Sequence, residues 1–452
     1  MALKLYNTLG RKKQNFKPRL GNTVLLYTCG PTVYRSPHIG NYRTFIFEDL
    51  LKRTLLLSNY QVAHIMNITD VGHLVADSDD GEDKIEKEAR KTRRNAKDIA
   101  REYEAEFRRD SKALSILPPS KYPRATSHIP EQIALIKKLE QLGFTYQTDD
   151  GIYFDTKQAK DYGKLDPKNI KGIKAGARVE HGNKKNITDF ALWKFSQKTG
   201  PKREMEWKSP WGVGFPGWHI ECSAMSMKYL GETLDIHCGG IDHIQIHHTN
   251  EIAQSESATR KPFSRFWMHG AFLTIHGERM EKSSPDSNIT VATLREKGFD
   301  PLDFRYLALG THYRKPLSFT WEALESARNA RLKILSLYRN LPSKPEKNEE
   351  SQKEKIREAL SDDLNVPKAL AFFFDGIKKG FSKDFVLWAD HVFGLRIKQE
   401  SYIPKNILDL VTLREKHRQE KNYAKSDEIR AELLKKRFRV EDTPSGPVVH
   451  KI

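Results

Sequence analysis

Apolar runs alternate with amphipathic stretches near the start of the chain. Residues 24–27 are apolar and long enough for one buried strand. Apolar side chains then recur every three to four residues over 45–55, which predicts a helix. A second apolar run follows at 62–66. A strand, a helix and a strand in this order predict a parallel sheet with a right-handed crossover.

The turn between the first strand and the helix carries the first candidate chemistry. It reads CGPTVYRSPHIGN over residues 29–41. A glycine-bearing turn before a helix points backbone N–H groups and the positive end of the helix dipole at whatever lies above it, which suits a phosphate. Cys29, His38 and Thr69 are predicted at the carboxyl ends of the strands, where parallel sheets bind ligands. The alternative is that His38 caps the helix and Gly40 relieves a tight turn.

The rest of the pattern divides the chain. Pro118 and Pro119 end a charged helical stretch and open an insertion, in which Asp150 and Gly151 predict a hairpin turn. The predicted helices are 84–115, 131–142, 247–259, 321–340 and 351–380, with a helical hairpin at 405–437. The predicted parts are two halves of the sheet domain (1–117 and 205–315), an insertion (118–204), a helical bundle (316–400) and a small C-terminal domain (401–452).

Composition narrows the partners and the compartment. Lys and Arg total 77 against 59 Asp and Glu, a net charge of +18, which favours a nucleic-acid partner over a generally basic protein. The Lys-, Gly- and Asn-rich segment 156–188 is either a surface loop, which we favour, or a basic contact for nucleic acid. Three cysteines argue against a disulfide framework and for a reducing compartment. No apolar run has the length of a signal or membrane segment, so we expect a cytosolic protein.

Four side chains far apart in the sequence form a candidate metal site. The set is Cys29, Cys222, His247 and Glu251. His247 and Glu251 are four residues apart on a predicted helix and share one face. Two thiolates, an imidazole and a carboxylate are suitable zinc ligands. His248 competes with His247, and Cys238 competes with either cysteine. The alternative is a pair of inert buried cysteines and a surface histidine pair.

A charged loop at 277–288 follows the predicted strand at 272–275. It contains Lys282 followed by two serines. A lysine in such a loop can hold a polyphosphate as a movable point charge. The alternative is an ordinary solvated loop.

Taken together, these segments resemble one family. PHIGN is similar to the HIGH signature of class I aminoacyl-tRNA synthetases, and RMEKS is similar to their KMSKS loop. YTCGPTVY, NITD, PRATSHI, AGARVE, DFALWK, SPWGVGFPGWHIECSAM, DIHCGGID, HHTNEIAQSE and GTHYRKPL resemble the cysteinyl-tRNA synthetases, in order from about residue 4 to the C-terminus. The resemblance implies an α/β fold: a Rossmann-type catalytic domain with a connective insertion, then an α-helical bundle and a small anticodon-binding domain.

The resemblance also implies a reaction. L-Cysteine and Mg-ATP give cysteinyl-adenylate and pyrophosphate, and the cysteinyl group then passes to the 3′ end of tRNA(Cys). One zinc ion, on the four ligands above, would bind the substrate thiol, because zinc prefers a thiolate to a serine hydroxyl. Catalytic zinc usually keeps three protein ligands and an open position. The site must therefore expand, or loosen Glu251, when cysteine arrives. We expect a monomer with no membrane partner.

Individual roles follow from the same resemblance. Trp218 would pack against the cysteine substrate, and Thr69 and Asp242 would lie near its amino group. His38 and Lys282 would be the catalytic residues, with Lys282 balancing charge on the phosphates. The residues implied in ATP binding are His38, Gly40, Asn41, His237 and Lys282.

Some positions depart from the family pattern, and two other activities stay open. Asn41 replaces a second histidine, Arg279 and Glu281 replace Lys and Ser in the KMSKS-like loop, and Cys238 replaces a glycine. One alternative is a ligase that joins cysteine to an amino sugar, which the C-terminal segment RQEKNYAKSDEIRAELLKKRFRVEDTPSGPVV disfavours. The other is a non-catalytic zinc-dependent RNA-binding protein, which His38 and Lys282 disfavour.

Overall fold

The structure is a computed structural model that describes residues 2–71, 84–167, 184–196, 203–275, 278–279, 288–345, 348–400, 403–443 and 446–451. The strands are β1 (Lys4–Asn7), β2 (Lys12–Asn15), β3 (Thr23–Thr28), β4 (Gln61–Met66), β5 (Thr145–Gln147), β6 (Gly151–Phe154), β7 (Phe190–Phe195), β8 (Trp207–Ser209), β9 (Gly212–Pro216), β10 (Leu234–Gly240), β11 (Ser264–Gly270), β12 (Leu273–Ile275), β13 (Glu278–Arg279), β14 (Leu317–Phe319), β15 (Phe438–Thr443) and β16 (Gly446–Lys451).

The α-helices follow the same chain order. They are α1 (Ile39–Leu57), α2 (Lys84–Thr92), α3 (Ala96–Ala113), α4 (Ile129–Gln141), α5 (Trp218–Leu230), α6 (His247–Thr259), α7 (Val291–Glu296), α8 (Pro301–Leu309), α9 (Trp321–Arg339), α10 (Glu350–Ser361), α11 (Val366–Lys378), α12 (Lys383–Phe393), α13 (Ile397–Glu400), α14 (Lys405–Gln419) and α15 (Tyr423–Lys435). Among the described residues, no helix is both long and apolar enough to cross a membrane.

A four-stranded parallel sheet lies at the centre, which confirms the predicted α/β fold. Its strand order is β11-β10-β3-β4, and every pair in it is parallel. β3 and β10 are buried along almost their whole length, as expected of strands covered on both faces. The carboxyl ends of the four strands therefore meet at one edge, followed in the chain by Cys29, Asn67, Ile241 and Ala271.

The insertion carries a second sheet, which is antiparallel with strand order β5-β6-β7-β9-β8. The predicted hairpin is confirmed, because β5 pairs antiparallel with β6. The predicted end of the insertion at residue 204 is too early. β9 pairs with β7 through Trp193 and Pro216, so this sheet continues to the residue before the turn into α5.

Two helices predicted as continuous are each divided. The stretch 84–115 forms α2 and α3, separated at Arg93, which has a left-handed φ of 53°. The stretch 351–380 forms α10 and α11, separated at Asp363 and Leu364, which have φ values of 61° and 53°. A left-handed residue cannot continue a right-handed helix. The predicted hairpin at 405–437 is confirmed as α14 and α15.

A buried ion cluster joins the second half of α1 to the helical part of the chain. Asp49 Oδ2 lies 2.8 Å from Arg53 Nε and 2.6 Å from Arg305 Nη2. Arg305 also donates to the carbonyls of Phe393 and Leu114, at 2.6 and 3.0 Å. These hydrogen bonds fix α1 between the parallel sheet on one side and α8, α12 and the end of α3 on the other.

Candidate functional site

The N-terminus of α1 is closed by a reciprocal pair of hydrogen bonds. Asn41 N–H donates to His38 Nδ1 at 3.2 Å, and His38 N–H donates to Asn41 Oδ1 at 3.1 Å. The helix-capping role proposed for His38 is thus real. It leaves Nε2 as the nitrogen that carries the hydrogen when the ring is neutral. Burial and the nearby Arg35 charge lower the pKa of His38 to about 4, so the ring is neutral near pH 7.

A cavity of about 340 Å³ opens above this helix start. That size suits a small-molecule ligand. It is lined by six residues that the sequence singled out: Cys29, His38, Gly40, Asn41, Trp218 and Asp242. The structure therefore brings the thiol of the first strand end, the helix N-terminus and an acidic side chain onto one cavity wall.

The turn after β3 is braced by the segment after β4. Gly30 N–H donates to Asn67 Oδ1 at 2.9 Å, and a Cβ at Gly30 would lie 1.8 Å from the Asn67 carbonyl oxygen, so only glycine fits. Thr69 is buried behind this turn; its backbone N–H donates to Pro31 O, and its hydroxyl lies 3.4 Å from Glu221 Oε2. Thr69 does not line the cavity wall, and it supports the turn that does.

The predicted metal ligands converge in the interior beside the cavity. Cys29, Cys222 and His247 each offer a ligand atom within 4.8 Å of the other two. A second group with the same property contains Cys29, His237, His248 and Glu251. All six side chains are buried. The two groups share Cys29, which also lines the cavity.

Glu251 lies among three imidazoles. Its Oε1 is 3.3 Å from His237 Nε2, and its Oε2 is 3.1 Å from the same nitrogen. Oε2 is also 3.6 Å from His247 Nε2 and 3.7 Å from His248 Nε2. Within the described part of the chain, this buried Oε2 takes part in no well-formed hydrogen bond. An acceptor left in that condition in the interior suits a cation.

The thiols of the cluster are held in their uncharged form by their surroundings. Burial raises the pKa of Cys29 well above its ordinary value, and Cys222 and Glu251 add to the rise. A hydrogen bond with Cys29 lowers the pKa of Cys222, but burial and the Glu251 carboxylate raise it above its ordinary value overall. Two adjacent buried thiols become thiolates readily only when a cation lies between them. The donor set therefore fits a thiophilic metal such as zinc.

The structure adds residues that the sequence did not single out. His219 Nδ1 lies 3.0 Å from His247 Nδ1, which leaves His247 Nε2 facing the cluster. His269 Nε2 lies 2.8 Å from His248 Nδ1, and its other nitrogen lies 2.7 Å from Thr8 Oγ1. His219 was detectable, because it lies three residues before Cys222 on one predicted helix face. Nothing in the local pattern indicated His269 or Thr8.

Two of the predicted ATP-binding residues need comment. His237 is fully buried, facing Glu251, and does not line the cavity, so its position does not match the expected contact with ATP.

Lys282 and Glu281 lie outside the described residues. The backbone just after that loop is placed, since Ile39 N–H donates to Ile289 O at 2.8 Å beside the start of α1. Cys238 is buried in the core below the sheet edge.

Comparison with known proteins places these features in a family. Residues 15–329 match the family model described as the tRNA synthetases class I (C) catalytic domain. A curated relative named cysteine–tRNA ligase 1, from Burkholderia lata, is 47% identical over 99% of this chain and 96% of its own length. The cysteine–tRNA ligases of Treponema denticola (43% identical; 96% of each chain) and Thermus thermophilus (39%; 99% of each) are similar over the same extent.

A solved structure supports the fold independently. The methionyl-tRNA synthetase of Mycobacterium tuberculosis bound by methionyl-adenylate superposes with a TM-score of 0.56. It is 14% identical and covers 85% of this chain and 90% of that one. At this identity the likeness concerns the fold alone.

Proposed function

Since this chain belongs to the cysteine–tRNA ligase family of class I aminoacyl-tRNA synthetases, we propose that it activates L-cysteine with ATP and transfers the cysteinyl group to tRNA(Cys), with zinc selecting the substrate thiol. One observation carries the proposal. A buried set of two thiols, imidazoles and a carboxylate adjoins, through Cys29, the same cavity that receives the N-terminus of α1. A sulfur-selective end and a phosphate-binding end are thereby combined in one site.

The phosphate end of the cavity is formed by α1 and its cap. The helix dipole and the first backbone N–H groups favour an anion there. His38 Nδ1 is engaged by Asn41, so its Nε2–H is the group that can donate to an ATP phosphate. Gly40 and Asn41 line the same wall. In the sequence, Lys282 belongs to the loop that ends just before Ile289, and the Ile289 carbonyl accepts a hydrogen bond from Ile39 N–H at the start of α1. Lys282 would add a positive charge as the adenylate and pyrophosphate separate.

The amino-acid end of the cavity is formed by Trp218 and Asp242. Trp218 stacks on His247 with ring centroids 4.4 Å apart, which fixes the indole as a wall beside the metal ligands. The Asp242 carboxylate suits the substrate ammonium group. Thr69 supports the Cys29–Pro31 turn from behind. Adenylation needs no general base, because the substrate carboxylate is itself the nucleophile toward the α-phosphorus.

The metal would be held by Cys29, Cys222 and His247, with Glu251 as a fourth ligand. When bound, zinc supplies a soft Lewis acid that favours a thiolate over a hydroxyl. The protein's own part is to bury the donors, to orient His247 through His219, and to place Cys29 at the edge of the cavity. A pocket that only fills space would separate cysteine from serine poorly.

The remaining parts of the proposal concern tRNA and location. The net charge of +18 supports a polyanionic partner, and the cognate tRNA is proposed from the names of the relatives. α14, α15 and the β15–β16 hairpin form the small C-terminal unit that would read the anticodon. All three cysteines are unpaired thiols, which supports a reducing, cytosolic setting. A monomer is proposed as well.

Cysteine-dependent ATP–pyrophosphate exchange, measured with metal analysis of the purified chain, tests the proposal. We expect one zinc per chain, exchange with cysteine and none with serine at equal concentration, and charging of tRNA(Cys). Attachment of labelled cysteine to an amino sugar but not to tRNA would replace the proposal with the related ligase. tRNA binding without exchange would replace it with a non-catalytic RNA-binding role.

A further inference from the structure

The turn between β3 and α1 carries an arginine to which the proposed reaction gives no role. Arg35 lies just before His38, the capping residue of α1, and both residues line the cavity. The Arg35 side chain is half-buried, and its guanidinium carbon lies 5.3 Å from the centroid of the Tyr34 ring. Within the part of the chain that the structure describes, this guanidinium forms no hydrogen bond or ion pair with a protein group. It is therefore free to bind an anionic ligand in the cavity.

The turn that carries Arg35 is anchored on both sides. Val33 is buried, and its backbone N–H donates to a carbonyl in the segment after β4 at 3.1 Å. Ser36 Oγ donates to Glu106 Oε2 on α3 at 2.9 Å. The Arg35 charge is also one cause of the lowered pKa of His38, so the two groups are close. Arg35 thus holds its charge beside the start of α1, where the helix dipole already favours an anion.

Charge is unevenly divided along the cavity wall. Among the described residues that line the cavity, Arg35 is the one permanent cation and Asp242 is the one carboxylate. His38 is neutral near pH 7, so it can donate a hydrogen bond but supplies no charge. Under the proposed function, Asp242 suits the ammonium group of cysteine. Arg35 is then the fixed positive charge that is left for the triphosphate of ATP.

The loop that carries Lys282 increases the need for a fixed charge. In the sequence, its RMEKS segment has a net charge of +1, because Glu281 offsets one of two basic residues, whereas the KMSKS pattern has +2. In adenylation, a carboxylate oxygen of cysteine bonds to the α-phosphorus, and the bond from that phosphorus to the oxygen bridging to the β-phosphorus breaks. The electron pair of the broken bond leaves with pyrophosphate, which therefore gains negative charge. A guanidinium can bind two phosphate oxygens at once and so suits this leaving group.

We propose that Arg35 is a phosphate-binding residue that holds the β- and γ-phosphates of ATP, and then pyrophosphate as it forms. The inference rests on the proposed function, since it assumes that the cavity binds ATP. A phosphate of tRNA is the other anion that this protein would meet. The position of Arg35 beside the helix cap, on the cavity wall that Gly40 and Asn41 also line, favours the nucleotide.

Nucleotide binding tests the role of Arg35 without turnover. Calorimetry with AMP and with a non-hydrolysable ATP analogue compares two ligands that differ in the β- and γ-phosphates. In Arg35→Gln, the affinity for the ATP analogue should fall about 10- to 100-fold, the range expected for a lost hydrogen bond to a charged group, and the affinity for AMP should change by less than about twofold. Arg35→Lys keeps the charge without the planar fork and should recover part of the loss.

Cysteine-dependent ATP–pyrophosphate exchange gives a second readout. Arg35→Gln should raise the KM for ATP and for pyrophosphate about 10- to 100-fold, and it should leave the KM for cysteine within about twofold of the unaltered value. An unchanged KM for cysteine also shows that the variant is folded. Arg101→Gln is the matched control, because Arg101 on α3 is exposed and does not line the cavity. It should change none of these constants.

Three results would overturn the role of Arg35. Unchanged binding of the ATP analogue in Arg35→Gln would mean that the guanidinium only packs against Tyr34. An equal loss for AMP and for the ATP analogue would place the contact on the nucleoside or the α-phosphate. Normal exchange with a raised KM for tRNA would assign Arg35 to tRNA. The proposed function fails separately, if the unaltered chain holds no zinc or shows no cysteine-dependent exchange.

Discussion

Asp49→Asn removes one charge from the buried cluster that fixes α1 and keeps the side chain nearly isosteric. Burial raises the pKa of Asp49, but the Arg305 and Arg53 charges and the Leu117 N–H together leave it below its ordinary value. The carboxylate is therefore ionised across the physiological pH range. Its stabilising contribution is lost only as the pH falls below the ordinary Asp value of about 3.9. The substitution strands two guanidinium groups, of which Arg305 has no exposed surface.

The expected cost follows from that burial. Removing one partner of a buried ion pair destabilises a protein by about 3–5 kcal/mol, since the other charge is left uncompensated. With a denaturant slope of about 3 kcal/mol/M in urea, this lowers the unfolding midpoint by about 1 to 2 M. Because Asp49 bonds two arginines and the Leu117 N–H, we expect the upper half of that range.

Urea unfolding, followed by circular dichroism and by loss of exchange activity, measures the effect. Asp375→Asn is the matched control, because Asp375 on α11 forms an exposed ion pair with Lys379, the residue after the end of that helix. It should leave the midpoint unchanged. A shift below about 0.3 M for Asp49→Asn, which corresponds to roughly 1 kcal/mol, would refute the idea that this cluster holds α1 in place.

Four other predictions address the site and its surroundings. Cys222→Ser should lose zinc and cysteine activation together, and normal exchange in that variant would remove Cys222 from the site. Lys282→Ala should slow adenylate formation more than it weakens cysteine binding, as single-turnover kinetics can show; equal losses would contradict its role. Since His38 titrates near pH 4, the kcat/KM of the unaltered protein divided by that of His38→Asn should stay constant from pH 5.5 to 8. A tenfold fall of this quotient through pH 6.5 would count against a neutral His38. Burial raises the pKa of Glu48 well above its ordinary value, so the free energy of unfolding falls as the pH rises above about 4.5. Glu48→Leu should therefore raise the thermal midpoint more at pH 8 than at pH 5. An equal gain at both pH values would argue against an uncharged Glu48.

Much of the site followed from the sequence because its geometry depends on a topological rule. The ends of parallel strands meet at one edge, so Cys29 and the segments after β4 and β10 had to converge. The start of α6 at His247 was visible from its pattern, and that start places His247 and Glu251 on one face. The identity of the metal ligands came from the family resemblance rather than from spacing.

Other features depended on contacts between distant residues. β10 is buried on both faces, so no alternation revealed which way His237 points. The end of the insertion was misplaced because β8 and β9 are short and are defined by pairing with β7. The helix breaks at Arg93 and Asp363 involve left-handed residues other than glycine, which carry no strong local signal.

The short connection between β3 and α1 has a consequence for substrate length. Cys29 follows the last residue of β3 and His38 caps α1, so a single stretch of chain joins the proposed sulfur end of the cavity to its proposed phosphate end. Hydrogen bonds at Gly30 and at Asn41 hold the two ends of this connection, so we expect the distance between them to stay fixed. Homocysteine, one methylene longer, would carry its carboxylate beyond the α-phosphorus by about 1 Å, a misplacement that can cost about a hundredfold in rate. Under the proposed function, we therefore expect the backbone of this connection to discriminate against a longer thiol amino acid that the metal alone would accept.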